Sequence, residues 1–367
     1  MVENQPVRQQ DNLFVKIIDW MDERFQVRAL ADSMLHVYIP REAKTFYLGG
    51  ITLFLFLVQV ITGSLLALYY QPTPDTAYDS VLFIMSNVNF GWLIRSIHAW
   101  GANLMVIFCV LHLLRVFFQG AYKKPREATW FVGVLLLAVT LGFGFTGYLL
   151  PWDQRAYWAT TVGSESAGAV PIIGEFLLEF MRGGMDITKA TLSRFYGIHT
   201  LLLPLTLAGM LGAHLLLMHQ QGIANPNKPA KRPSPSPDEE NETQKEKTLP
   251  FFPHYVLSEV IAWYMILGLL IILASLFPAG LEEKANALET PAHIKPEWYF
   301  LSVYQFLKKV PEVLGVLAPM LAFPILFFLP FIDRNPEVVP RKRPVAITLG
   351  VVTLALITGF TIWGWLS

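Results

Sequence analysis

The stretch NFGWLIRSIHAWGANLMVIFCVLHLLRVFF (89–118) decides the fold, because it places two histidines inside a long apolar segment. A helix that crosses a bilayer needs about 20 predominantly apolar residues, and this stretch supplies them. His98 and His112 are 14 residues apart, so about four helical turns bring them to nearly one face, at depths about 21 Å apart. Ionisable side chains inside a membrane span are costly, and they usually serve a function.

The whole chain has the composition of a membrane protein. Of its 367 residues, 53% are hydrophobic and 15% are charged, with a mean hydropathy of +0.43. Soluble domains are about 25% charged. This composition argues against a soluble enzyme and against a nucleic-acid-binding protein, which would also carry a basic face. The single cysteine, Cys109, excludes a disulfide framework or a cysteine-based metal cluster within the chain.

We therefore predict an all-α integral membrane protein with seven transmembrane helices. The predicted spans are Phe46–Tyr69, Trp92–Phe118, Trp130–Leu150, Phe195–Met218, Val260–Phe277, Val313–Ile332 and Val345–Trp365. Lys and Arg number 18 in the segments on one side of these spans and 8 on the other. The positive-inside rule then places the N-terminus in the cytoplasm of a cell-membrane protein.

Four segments divide the chain. Residues 1–45 form an N-terminal cytoplasmic segment, and apolar residues at helical spacing within 12–30 predict an amphipathic helix on the membrane surface. An ordinary solvated helix is the alternative. Residues 46–222 form a four-helix unit, 223–250 a polar linker rich in Pro and Ser, and 251–367 a three-helix unit.

A second pair of histidines matches the first. His199 and His214 lie 15 residues apart on the predicted fourth span, which, like the second, runs from outside to inside. His98 and His199 would therefore share an outer level, and His112 and His214 an inner level. Two imidazoles that face each other across a helix bundle suit a haem iron with two histidine ligands.

Glycines and arginines support this interpretation. The first span carries Gly49 and Gly63 and the third carries Gly133 and Gly147, each pair 14 residues apart. A glycine lets a flat macrocycle approach the helix backbone, although each pair alone could be a helix-packing contact. Arg95 and Arg115 each lie three residues from a proposed ligand. They could pair with haem propionates, or they could be arginines that extend to the membrane surface.

The chain resembles cytochrome b of quinol-oxidising cytochrome bc and b6f complexes. The resemblance covers nearly the whole chain apart from the N-terminal tail and the linker. The motifs that carry it are NFGWLIRSIH (89–98), KKPREATW (123–130), GFTGYLLPWDQRAYW (144–158), RFYGIHTLLLPL (194–205) and PEWYF (296–300). The FGWLIRS and PWDQ stretches and the 15-residue spacing look like the b6 form, in which the two units are separate polypeptides.

The resemblance implies two non-covalent b haems, a low-potential one on His98 and His199 and a high-potential one on His112 and His214. It also implies a Rieske iron–sulfur protein and a c-type cytochrome as partners, in a dimeric complex. The b6 form attaches a further haem through a cysteine near the start of the first span. Tyr47 occupies that position here, so a covalent third haem is not expected.

A site for quinol oxidation is predicted on the outer side. Glu297 stands in an aromatic motif, where burial would raise its pKa and let it accept a proton from a quinol hydroxyl. Tyr304, two helical turns further on, could supply a second hydrogen bond. Pro296, Trp298 and Tyr299 would line the pocket. An aromatic belt at the membrane interface would explain the two aromatic residues but not the carboxylate.

A site for quinone reduction is predicted on the inner side. His219, five residues after His214, and Glu259, at the start of the fifth span, could deliver protons to a reduced quinone. His219 could instead be a polar cap on its helix. His36, His254 and His293 lie outside the spans and are interpreted as loop histidines, although His293 could influence proton exit.

The sequence thus favours a redox subunit that oxidises quinol outside, passes electrons inward through two haems and contributes to a proton-motive force. A di-haem membrane anchor of another respiratory enzyme is one alternative, but such anchors lack the PEWY element. A proton-coupled transporter is another, but no internal repeat or broken helix around a midplane site is visible in the sequence.

Overall fold

The computed structural model describes residues 13–29, 32, 37–40, 47–222, 224, 248–292 and 294–367. Predictions that concern residues 1–12, His36, Phe46, His293 and most of the linker lie outside these residues.

Six helices in the described part of the chain are long and apolar enough to cross a membrane. Each overlaps one of the predicted spans. They are α2 (Leu48–Ala67), α4 (Gly91–Phe118), α5 (Glu127–Tyr148), α8 (Lys189–Gln221), α9 (Phe251–Leu276) and α13 (Pro344–Leu366). The remaining helices are α1 (Leu13–Phe25), α3 (Ala77–Asn87), α6 (Gln154–Gly168), α7 (Gly174–Arg182), α10 (Trp298–Leu307), α11 (Glu312–Phe327) and α12 (Leu329–Ile332).

The predicted sixth span, Val313–Ile332, is not one continuous helix. The 16-residue helix α11 carries Pro319 and Pro324 in its interior, and the four-residue α12 follows it. The helix continues through both prolines, and the break falls at Phe328, before Pro330 of α12. Proline has no N–H and its ring crowds the preceding turn, which favours interruption of an α-helix there. The structure therefore shows a protein built mainly from apolar helices. It does not confirm the predicted count of seven transmembrane helices.

The main core joins the two predicted units. Helix α2 packs along α4, α8 packs along α5, and α9 of the C-terminal unit packs against α4 and α2. The most buried members of this core come from four helices. They are Ile51, Leu55, Phe56 and Val58 of α2, Leu104 and Met105 of α4, Leu207 of α8, and Ile266 and Leu270 of α9. The bundle is therefore assembled around facing pairs of helices, with the C-terminal unit packed on one side.

A pair of short strands and one helix lie outside the bundle, and the strand pair was not predicted. Strand β1 (Tyr38–Pro40) pairs antiparallel with β2 (Thr248–Pro250), so the last three residues assigned to the linker are ordered against the N-terminal segment. Helix α1 falls within the predicted amphipathic stretch and has no buried residue. Its apolar Leu13, Phe14 and Phe25 are all exposed.

A buried ionic cluster joins the two units at the end of the bundle where α4 ends and α5 begins. Arg343, before α13, is 1% exposed, and its guanidinium donates to the Tyr122 hydroxyl (2.6 Å) and to Asp333 (3.3 Å). Tyr122 also donates to Asp333, and Lys123 forms an ion pair with the same carboxylate at 2.9 Å. Burial alone would raise the pKa of Asp333, but the hydrogen bonds from Tyr122 and Lys123 outweigh it and the pKa lies below its ordinary value.

We expect Asp333→Asn to destabilise the docking of the two units by about 3–5 kcal/mol, because it leaves buried cations without their carboxylate. Chemical unfolding of the purified chain in detergent measures this loss. Glu337→Gln is the matched control, since Glu337 pairs with Lys342 at the surface, where such pairs contribute about 1 kcal/mol or less. Equal losses of unfolding free energy in the two variants would contradict a contribution of the cluster to docking. The contribution of Asp333 should be present at neutral pH and be lost as the pH falls through its lowered pKa.

Candidate functional site

The outer histidines face each other across the bundle. His98 of α4 and His199 of α8 have ring centroids 6.4 Å apart. A metal between two imidazoles, with metal–nitrogen bonds of about 2.0 Å, would hold the ring centres roughly 6 Å apart. In each ring Nδ1 lies against a threonine hydroxyl, Thr62 at 2.9 Å and Thr146 at 3.2 Å. This contact leaves Nε2 of each imidazole available as a ligand.

All four predicted glycines lie against the four histidines. A Cβ atom built on Gly63 would lie 3.1 Å from Cε1 of His98, and one on Gly147 would lie 2.5 Å from Cε1 of His199. At the other level, a Cβ atom on Gly49 would lie 3.3 Å from Cε1 of His112, and one on Gly133 would lie 3.4 Å from Cε1 of His214. The sequence argument expected the glycines to admit a macrocycle. The structure adds that they make room for the imidazole rings themselves.

A π-helical turn explains the unequal histidine spacing. Residues Ile198–Leu202 form this turn within α8, and it contains His199. A π turn inserts one residue into an α-helix, and such turns are frequent at functional sites. The 15 residues between His199 and His214 therefore correspond to the 14 between His98 and His112. The extra residue allows both histidines of α8 to face the same side, which spacing alone did not predict.

The two arginines beside the histidine helix lie at its opposite ends. Arg95 donates hydrogen bonds to the carbonyl groups of Ala279 (2.7 Å) and Gly280 (2.9 Å), which follow α9. It therefore connects the two units at the outer side. Arg115 lies in the last turn of α4, at the inner side. A guanidinium has five N–H donors, so Arg95 can make these contacts and still donate to a propionate, as the sequence predicts.

The PEWYF segment docks next to the outer histidine level. The indole N–H of Trp298 donates to Asn103 of α4 at 2.7 Å. The hydroxyl of Tyr299 packs against Gly144 of α5, where a Cβ atom would lie 2.7 Å from it. Gly144 precedes Gly147 by one helical turn, so the segment is anchored to both helices near the glycine that faces His199.

Glu297 lies at the N-terminal end of α10 in a half-buried position. Burial raises the pKa of the Glu297 carboxyl above its ordinary value, and the guanidinium of Arg155 opposes that shift. The negative charge of Glu297 also contributes to a raised pKa of Tyr299, for which burial is the larger cause. A carboxyl whose pKa is raised toward neutrality is suited to accept and release a proton.

Sequence reasoning missed two neighbours of Glu297. Tyr148, at the end of α5, and Arg155, in α6, both interact electrostatically with this carboxylate. Both belong to the motif GFTGYLLPWDQRAYW, which was recognised without assigning them a role. The predicted partner Tyr304 instead donates its hydroxyl to the carbonyl of Ile294 at 3.1 Å.

A seam of hydrogen bonds fixes Arg155 and its helix against the C-terminal unit. The Asp153 carboxylate caps α6 and also accepts from the backbone N–H of Glu282 at 3.3 Å. The backbone of Gln154 donates to the carbonyl of Glu283 at 2.9 Å. Arg155 forms an ion pair with the Glu282 side chain. The seam therefore sets the position of the cation that acts on Glu297.

At the inner level, the structure brings Glu259 to the first helix of the bundle. A Cβ atom built on Gly50 of α2 would overlap the Glu259 carboxylate, with its oxygen 1.6 Å away. Gly50 follows Gly49, which faces His112, so Glu259 lies near the inner histidine level. His219 is exposed in the last turn of α8. His254 is also exposed, at the start of α9.

For a reaction in which the Glu297 carboxylate accepts the proton, Arg155→Met should move the acidic limb of the pH profile to higher pH. The reason is that Arg155 lowers the pKa of Glu297, and a protonated carboxyl cannot accept a proton. Rates measured from pH 5 to 9 should therefore fall most at low pH and approach the parental rate at high pH. Lys284→Met is the control, because it removes a nearby cation that pairs with Asp79 of α3. A uniform loss at every pH would contradict this role of Arg155.

Comparisons with known proteins cover both units of the chain. The family model "Cytochrome b/b6/petB" matches residues 34–222, and "Cytochrome b(C-terminal)/b6/petD" matches residues 284–367. A cytochrome bc complex cytochrome b subunit from Chlorobaculum thiosulfatiphilum is 39% identical over 354 residues, which are 93% of this chain and 79% of that protein. Cytochrome b6 of Synechococcus elongatus is 49% identical over 212 residues, 58% of this chain and 99% of that protein.

A solved structure shows the same architecture. A chain of a hyperthermophilic respiratory Complex III superimposes with a TM-score of 0.84 at 34% sequence identity, and the match covers 95% of this chain and 91% of that chain. The two family models span the histidine helices and the PEWYF segment, and the structural match covers nearly the whole chain.

Proposed function

The chain belongs to the cytochrome b/b6 family and is the cytochrome b subunit of a bc-type quinol–cytochrome c oxidoreductase, and on that premise we propose which of its residues serve each redox step. It is a multi-pass membrane protein of an electron-transport complex. The family implies b-type haem as a cofactor, and the membership argues against a transporter or a di-haem anchor of another enzyme.

Our proposal assigns two non-covalent b haems to the two histidine levels. His98 and His199 would hold the outer one, and His112 and His214 the inner one. The observation that carries this assignment is the outer pair, whose rings are 6.4 Å apart in a glycine-lined space. Arg95 and Arg115, at the two ends of α4, would pair with the propionates. When bound, the haems would carry single electrons between the quinol and quinone sites.

Glu297 is proposed to accept a proton from a quinol hydroxyl at the outer site. Burial raises its pKa, which favours the protonated form, and Arg155 opposes that shift, which favours the charged form. Tyr299 and Trp298, anchored on α5 and α4, would form the wall of the pocket with Pro296. Tyr304 remains a candidate for a second hydrogen bond.

His219 and Glu259 are proposed to deliver protons to a quinone at the inner site. Glu259 is supported by its place beside Gly50 at the inner histidine level. His219 is supported by its exposed position in the last turn of α8, five residues after His214. Protons taken up inside and released outside would contribute to a proton-motive force.

We propose the following topology and assembly. The apolar sequence 313–332 counts as a seventh span interrupted at Phe328, the N-terminus is cytoplasmic in a cell membrane, and α1 lies on the membrane surface through its exposed apolar residues. The complex includes a Rieske iron–sulfur protein and a c-type cytochrome, and it is a dimer. With Tyr47 at the start of α2, no third haem is attached covalently.

Replacement of His112 by Leu should remove the inner haem and leave the outer haem detectable, because each histidine pair is confined to one level. The measurement is the reduced-minus-oxidised visible spectrum of the purified chain, with gel filtration as a check on folding. His254→Leu changes an exposed histidine and should leave both haems in place. Loss of both haems from a folded His112→Leu protein would contradict the two-level arrangement.

Glu297→Gln should slow quinol oxidation by about 10² to 10⁴, the usual loss when a positioned general base is removed. The amide retains size and a hydrogen-bond acceptor, so both haem spectra should stay normal. Pre-steady-state reduction of the outer haem by quinol, with the inner site inhibited, isolates this step. Glu283→Gln, an exposed residue on the same side, is the control. A parental rate for Glu297→Gln from pH 6 to 8 would mean that another group takes the proton.

A further inference from the structure

The two outer histidines share a contact that the sequence did not suggest. Thr62 Oγ1 lies 2.9 Å from Nδ1 of His98, and Thr146 Oγ1 lies 3.2 Å from Nδ1 of His199. Both threonines are buried, at 7% exposure each. They come from different helices, α2 and α5, so the same arrangement occurs twice around one site.

The direction of each hydrogen bond follows from the threonine. The Thr62 hydroxyl donates its only proton to the carbonyl of Val58 at 2.7 Å, and the Thr146 hydroxyl donates to the carbonyl of Gly142 at 2.8 Å. A hydroxyl has a single proton but two lone pairs. With that proton used, each threonine oxygen can accept from an Nδ1–H of the imidazole, an arrangement that leaves the Nε2 lone pair free. The ring of His199 also hydrogen-bonds to the backbone of Phe143.

Each threonine immediately precedes the glycine that makes room for the same ring. Thr62 precedes Gly63, and Thr146 precedes Gly147. The dipeptide thus has two parts: the glycine admits the imidazole, and the threonine sets its tautomer and orientation.

The inner level lacks this arrangement. The corresponding glycines, Gly49 and Gly133, follow Leu48 and Val132, whose side chains offer no hydrogen-bond acceptor. Among the described residues, Nδ1 of His112 has no hydrogen-bond partner and Nδ1 of His214 has no side-chain partner, although the His214 ring interacts with the backbone of Thr129. The two levels therefore present different ligand environments to their iron, although their histidines and glycines match.

We propose that Thr62 and Thr146 are positioning residues that orient both outer ligands and lower the midpoint potential of the outer haem relative to the inner haem. A hydrogen bond accepted from Nδ1–H makes the imidazole a more basic ligand, and second-shell hydrogen bonds of this kind are a main control on haem potential. A more basic ligand stabilises ferric iron. Such a difference favours electron flow from the outer level to the inner one. This inference rests on the proposed two-haem arrangement.

The test is a redox titration of the full-length chain that follows the separate EPR signals of the two ferric haems. Thr62→Val and Thr146→Val keep the shape of the side chain and remove the acceptor. Each should raise the midpoint potential of the outer haem and leave the inner one unchanged. The expected effect is on the order of tenfold in the preference for ferric iron, which is about 59 mV for a one-electron couple.

Two sets of variants make the result specific. Thr140→Val removes another buried hydroxyl of α5, which donates to the carbonyl of Leu136 at 2.8 Å, and it should shift neither potential. Thr62→Ser and Thr146→Ser retain the acceptor and should give the parental potential.

An unchanged outer potential in a valine variant that retains both haems would overturn the inference. If a valine variant fails to bind the outer haem, the serine variants distinguish a role of the hydroxyl from a role of the methyl group. Serine variants with the parental potential support a role of the hydroxyl, whereas serine variants that also lose the haem show that the methyl group matters instead. Absence of both haem signals in the parental chain would contradict the proposed function rather than this inference.

Discussion

The placement of four imidazoles inside an apolar bundle is the constraint on which the rest of this structure depends. A polar ring in such an environment needs both space and a partner. Glycines on α2 and α5 supply the space, at distances that leave no room for a Cβ atom at Gly147. A metal ion between His98 and His199, whose rings are 6.4 Å apart, would supply the partner. The spacing of the two histidines along each helix determines how far apart they lie in depth. The two matched pairs therefore form two levels.

The C-terminal unit completes the site because it is held at both ends of the bundle. At the inner end, the carboxylate of Asp333 joins Lys123 and Arg343 in a buried cluster. At the outer end, the seam between α6 and residues 282–286 orients Arg155. Between them, Trp298 bonds to Asn103 on the histidine helix. These contacts fix Glu297 relative to the outer histidines, even though the sequence that connects the two units is polar and long.

Much of this arrangement could be predicted from sequence because it depends on periodicity and composition. Apolar length located the six helices that the structure shows, and the spacing of histidines and glycines located the two levels. Local backbone geometry could not be predicted in the same way. The π turn around His199 depends on how individual turns are packed. The prolines of the sixth span, in contrast, are a signal in the sequence that the prediction of one continuous span did not use. The partners of Glu297 were missed because Tyr148 and Arg155 are distant in sequence, and only the folded seam brings their charges to the carboxylate.

The central claim is that this chain holds two removable haems, one at each histidine level. Acid–acetone extraction of the purified full-length chain, followed by quantification of haem in the extract and in the protein pellet, tests it most directly. The account predicts about two b haems in the extract for each chain, because each needs two histidine ligands and four are available, and no haem in the pellet. One haem for each chain, or haem that stays with the denatured protein, would contradict it.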